Sequence, residues 1–155
     1  MDAADFRARA LAAFPAADPP SQVLGDLARE VHADAGLMEH VLLGRDWPSL
    51  PQSVLEERAK DIVALSVPAF VYYVPAFICA AAAEPEGESA TYAMYALCPL
   101  GNFDTFDKTT CALFSPQQAG YIAEFLVAMR AEPSFKLFDE EMKPGIELWR
   151  RRSAG

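Results

Sequence analysis

Histidines, cysteines and closely spaced carboxylates or phenols are the side chains that move protons, attack carbon or hold metals, and this chain has few of them. His32 and His40 are the only histidines. On one helix they would return near the same face, where Asp34 or Glu39 could join them around a metal ion. Metal-binding histidines on a helix usually stand three or four residues apart. Gly36 lies between these two, so solvated histidines are the plainer reading. Cys79, Cys98 and Cys111 are odd in number and lack metal-ligand spacing. A nucleophilic thiol needs a neighbour that stabilises its thiolate. None is evident, and the three read as reduced, buried thiols. Asp104 and Asp107 bracket Phe106 in a presumed connection, where carboxylates more often cap turns than share acid–base work. Tyr72 and Tyr73 either tie the core together through their hydroxyls or, with Pro75 and His40, border a pocket at a bend in a helix. The chain has no glycine-rich phosphate loop, no serine nucleophile elbow and no zinc motif.

The element that must position the tyrosines is the longest uncharged stretch. From Ile62 to Ala83 no side chain carries a charge. Length alone suits a membrane span. Pro68, Pro75, Ser66 and many alanines suit it poorly, because leucine, isoleucine, phenylalanine and valine drive insertion. A buried helix accounts for more residues. Ser66 caps it, Pro68 sits in its first turn, and Phe70, Tyr73, Val74, Phe77 and Ala81 share a face. Pro75 falls mid-helix, removes the bond to the Val71 carbonyl and should kink the axis.

Around it the pattern is helical. Phe6, Ala10, Ala13 and Phe14 form one stripe, ended by Pro15. Leu24, Leu27, Ala28 and Val31 recur at helical spacing, and Asp34 is placed to cap a turn carrying Leu37, Met38, Val41 and Leu42, stopped by Gly44. Ser53 and Glu56 fit a capping box ahead of Leu55, Ala59, Ile62 and Val63, with Lys60 placed to pair with Glu56. Residues 84–89 read as an acidic loop and 90–97 as a short helix. Ser115-Pro116-Gln117-Gln118 is the clearest helix start. Phe138, Met142, Ile146 and Trp149 mark a last helix, disturbed by Pro144 and Gly145. Thr109 to Phe114 is the best strand candidate.

The segments Trp47 to Leu50, Leu65 to Pro68, Tyr72 to Phe77 and Phe114 to Gln118, with Trp149 near the end, resemble an uncharacterised bacterial family of small proteins. Its landmarks are Trp-x-x-Leu, Leu-Ser/Thr-Pro, Tyr-Tyr-Leu-Pro-Ala-Phe and Phe-Ser/Thr-Pro-x-Gln. Val74 stands here for the usual leucine, and Val67 separates Ser66 from Pro68. The resemblance spans roughly residues 44–150. It implies a soluble all-helical fold and brings no catalytic residues.

Composition bounds the rest. At 155 residues and 52% hydrophobic, the chain is one domain with enough apolar material for a core. Its net charge of −9 argues against nucleic acid or an anionic membrane as main partner. Arg150 to Arg152 suit the end of a helix. The acidic N-terminus lacks the pattern of a secretory signal, and the cysteine usage fits the cytoplasm. The fold expected is a single compact all-α domain with a buried, proline-kinked central helix. The function expected is a non-catalytic protein-interaction module with Trp47 as aromatic anchor, unless Trp47 is a core plug beneath its loop, and Asp46, Glu84, Glu86 and Glu88 as rim charges facing a basic protein. The alternative is a small enzyme or ligand-binding protein with its pocket at Pro75. Neither reading calls for a cofactor or metal.

Overall fold

The computed structural model describes residues 2–26, 35–98 and 103–155. Among these, eight α-helices and four short 3-10 turns pack around one core, and no strand forms beyond an isolated bridge between Leu24 and Leu65. The all-α expectation is met. The helices are α1 (Ala3–Ala13), α2 (Ala35–Leu42), α3 (Gln52–Glu57), α4 (Val67–Ala83), α5 (Glu88–Leu97), α6 (Phe103–Thr109), α7 (Pro116–Ala131) and α8 (Asp139–Ser153).

Helix α4 is the centre, packed against α1, α3 and α5. Ser66 caps it by accepting the Ala69 N–H, and its own hydroxyl donates to the Gln22 carbonyl at 2.7 Å. Every residue from Tyr73 to Ala82 is buried, which is why this helix is apolar on all sides. Pro75 lies inside it, with no N–H for the Val71 carbonyl. With 17 residues, α4 is roughly 25 Å long at 1.5 Å per residue, short of a bilayer core of about 30 Å. Among the described residues no helix is long and apolar enough to cross a membrane.

Local chemistry sets the other boundaries. Ser115 accepts the Gln118 N–H, and the Gln118 side chain accepts the Ser115 N–H, closing a full capping box on α7. Gly44 follows α2 at φ +70°, the left-handed conformation glycine adopts without strain. Helix α8 opens with Asp139, Glu140 and Glu141 and closes with Arg150, Arg151 and Arg152, matching its dipole. Arg152 also donates to the carbonyls of Phe114 and Ala112, tying α8 to the turn before α7.

Several expectations need correction. Ser53 and Glu56 form no capping box: α3 begins after Pro51, and Glu56 instead accepts the Ser89 N–H at the start of α5, 3.1 Å away. Gly87 makes room for it, since a Cβ there would sit 2.6 Å from the Glu56 carboxylate. The helix expected to continue through Val63 stops at Arg58, and Ala59–Ala64 winds as a 3-10 turn. The tighter winding aligns residues three apart, and Arg58 pairs with buried Asp61 at 3.2 Å. Thr109 to Phe114 is no strand. Cys111 and Phe114 point inward while Leu113 faces out, a spacing of a turn rather than an alternation. Leu24 is not on a helical stripe but runs antiparallel to Leu65, with the Ser66 N–H bonded to the Val23 carbonyl. Leu27, Ala28, Val31 and the Asp34 cap lie outside the described residues. Glu88 and Ser89, read as loop, open α5, and Asp104 and Asp107 belong to α6 rather than a connection.

Pro144 and Gly145 do not break α8. Gly145 lets it approach the end of α5, because a Cβ at 145 would fall 2.3 Å from the Cys98 Sγ and 3.1 Å from its Cβ. Gly145→Ala should therefore lower stability by about 1–3 kcal/mol through overpacking, offset by about 0.5–1 kcal/mol of helix propensity. Adding Cys98→Ala should recover most of the loss in urea melts, since the two residues share one space. Two independent, additive costs would show that the contact does not govern this crossing.

Candidate functional site

The hydroxyls of adjacent Tyr72 and Tyr73 take different routes, because neighbours on a helix are about 100° apart. Tyr73 is wholly buried and donates to the Leu42 carbonyl at 2.6 Å, with the Arg45 carbonyl at 3.1 Å. This phenol fastens the loop after α2 to the central helix. Burial first, then Tyr72 and Asp46, pushes its pKa up to about 12. Tyr72 is half-buried and stacks edge-on against Tyr73, with ring centroids 4.8 Å apart. Its hydroxyl donates to the Ala17 carbonyl at 3.1 Å and lies 3.5 Å from an Asp46 carboxylate oxygen. Burial raises the Tyr72 pKa, the Trp47 backbone N–H opposes that, and Asp46 and Asp18 add to the rise.

Tyr72 forms one wall of an open groove of about 420 Å³. Phe14, Pro15 and Ala17, where the chain leaves α1, line it together with Pro68 and Val71 of α4, Trp47, Leu113 and Gln118. Among the described residues no charged side chain lines it. The Asp46 carboxylate lies against the Tyr72 hydroxyl, Asp18 adds negative charge to its surroundings, and both residues are exposed. Leu113 is 54% exposed, an apolar side chain left at the rim.

Of the other expected site residues, Trp47 and Asp46 adjoin this groove and the rest do not line it. Trp47 is 3% exposed and packs in the core. The short 3-10 turn Trp47–Ser49 drives its ring inward, between the Tyr72 groove and a smaller hollow on the α1 side. Pro75 is buried and lines neither hollow. His40 is exposed on α2 and does not converge with the tyrosines. His32 lies outside the described residues. Glu84, Glu86 and Glu88 are exposed but begin beyond the far end of α4, roughly 24 Å from Pro68 at 1.5 Å per residue.

The cysteines offer no ready nucleophile. Burial pushes Cys98 up to about 12, and burial with Asp107 does the same to Cys111 against the opposing charge of Arg152. Cys79 is raised by burial as well, opposed by the Tyr121 hydroxyl, 4.0 Å away, and by Arg7. Thiols held this high stay protonated at neutral pH. Among the described residues no three His, Cys, Asp or Glu side chains are placed to hold a metal ion. No family model, curated protein or solved structure matches the chain.

Sequence reasoning missed Phe14, Pro15, Leu113 and Gln118 as groove residues, and Arg7 altogether. Phe14 and Pro15 looked only like the end of a helix, and Gln118 only like half of a capping box. Leu113, an apolar residue in a stretch that reads as a strand, carries no signal of exposure. The groove is made by four segments distant in sequence, so no local pattern announces it.

Proposed function

We propose that the chain is a non-catalytic protein-interaction module, and that the Tyr72 groove takes an apolar, positively charged segment of a protein partner. One juxtaposition carries this reading: an open, uncharged, aromatic-walled groove with the Asp46 carboxylate against its Tyr72 hydroxyl and Asp18 adding negative charge to the surroundings. Apolar contact along Pro68, Val71 and Leu113 would supply affinity. The two carboxylates would favour lysine or arginine and speed encounter at low salt. The net charge of −9 acts in the same direction. Partner-binding residues in this reading are Tyr72, Leu113, Asp46 and Asp18, with Trp47 as a supporting wall.

Selection of a displayed random-peptide library on the immobilised protein tests the reading. Enriched peptides should pair a large apolar residue with lysine or arginine and lose affinity as salt rises. Leu113→Arg, at an exposed position, should abolish their binding without moving the thermal midpoint. Asp46→Arg should weaken binding and flatten its salt dependence. Enrichment of acidic peptides, or peptides indifferent to Leu113→Arg, would refute the proposal.

A further inference from the structure

On the α1 side of Trp47 lies a second, smaller hollow of about 250 Å³, also open to solvent. Its floor is the small-residue face of α4: Ala76, Cys79, Ala80 and Ala83. Leu50 and Leu55 close it from the Trp47 turn and α3. Polar character comes from two side chains, Arg7 and Gln52. The rest of the lining is apolar, and Arg7 and Gln52 are both exposed.

Arg7 distinguishes this cavity from the groove across Trp47. Its Nη2 donates to the Pro48 carbonyl at 2.7 Å, holding the guanidinium across the gap between α1 and the Trp47 turn. A guanidinium has five N–H donors, so this bond leaves most of them available. Among the described residues no carboxylate pairs with it, although Arg9, two residues along the same helix, pairs with both Asp5 and Glu124. The charge of Arg7 reaches the floor, where it acts on the Cys79 thiol against the effect of burial. The first turn of α1 adds nothing to the anion preference, because Asp2 already occupies its N–H groups. An unpaired cation over an apolar slot is complementary to a ligand with a carboxylate head and an aliphatic tail.

We infer that this cavity is a binding site for a small aliphatic monocarboxylate, its head on Arg7 and Gln52 and its tail on the alanine face of α4. The volume limits the tail. At about 30 Å³ for each water-sized group, the cavity holds roughly eight such groups. A six-carbon acid fits. The site is independent of the Tyr72 groove, since only Trp47 lines both.

Titration of the intact protein with sodium hexanoate, followed by backbone amide NMR, tests the inference. Saturable shifts are expected at Ala76, Cys79, Ala80 and Ala83. Hexan-1-ol and acetate should each bind at least about tenfold more weakly, the first lacking the charge and the second the tail. Arg7→Gln should weaken hexanoate about tenfold or more. Gln52→Glu, at an exposed position, should do the same by placing a carboxylate at the mouth, with the thermal midpoint unchanged. Absence of shifts at the α4 alanines, equal binding of hexanol, equal binding of acetate, or indifference to both substitutions would each overturn it. Peptide binding in the Tyr72 groove should persist in Arg7→Gln, so the two sites fail separately.

Discussion

Trp149→Ala should cost about 3–5 kcal/mol of stability, the usual range for deleting a fully buried large aromatic side chain. Trp149 is 0% exposed. Its ring meets Phe114 edge-on at 5.2 Å and Phe106 at 5.9 Å. Its Nε1 donates to the Leu97 carbonyl at 2.9 Å, one of the last carbonyls of α5. Three elements therefore meet on one side chain: α6, the end of α5 and the turn leading into α7. Trp149→Phe separates ring from hydrogen bond. It keeps apolar volume but orphans the Leu97 carbonyl, at a cost of about 1–3 kcal/mol. Urea melts should order the proteins wild type, Phe, Ala. An alanine variant within 1 kcal/mol of wild type would mean that α8 is not held to the core through this residue.

The sequence landmarks that read most clearly are the ones whose chemistry is local. Ser115, Pro116 and Gln118 make their cap within four residues, and the structure closes it as the pattern implies. Ser66 and Pro68 do the same for α4. Tyr72 to Phe77 and Trp149 fall in or beside the core. Misreadings arise where a distant partner outbids a local one. Glu56 leaves Ser53 for the N-terminus of α5, and Leu24 leaves a helical stripe to pair with Leu65. Neither choice can be read from neighbours in sequence.

The site was legible in part for the same reason. In the sequence Tyr72 and Asp46 stand out separately, one as a phenol in an apolar helix and one as a charge beside Trp47. The structure brings the two within 3.5 Å. Tyr73 was indistinguishable from Tyr72 by type, and only its direction around the helix sends it to the Leu42 carbonyl instead of the surface. Arg7 was invisible because an arginine on a mixed helix is ordinarily a solvated charge. Its interest comes from Pro48, Gln52 and the α4 alanines, all far along the chain.

Trp47→Ala is the substitution on which anchor and core readings divide most sharply. An exposed anchor could be removed with little loss of stability. Trp47 is 3% exposed and stands between two hollows, so its removal joins them into one void with few atoms to collapse into it. The expected loss is about 3–5 kcal/mol. For a domain of this size that corresponds to a fall of roughly 6–20 °C in thermal midpoint. Trp47→Phe should retain much of the stability by keeping a ring in the wall. Because the alanine variant loosens both hollows, loss of peptide or carboxylate binding in it would reflect the collapsed wall and not a missing contact. The binding question therefore passes to Leu113 and Arg7, which can be changed at the surface. A Trp47→Ala protein that melts with the wild type while losing only its peptide ligand would return Trp47 to the role of anchor and overturn the core assignment.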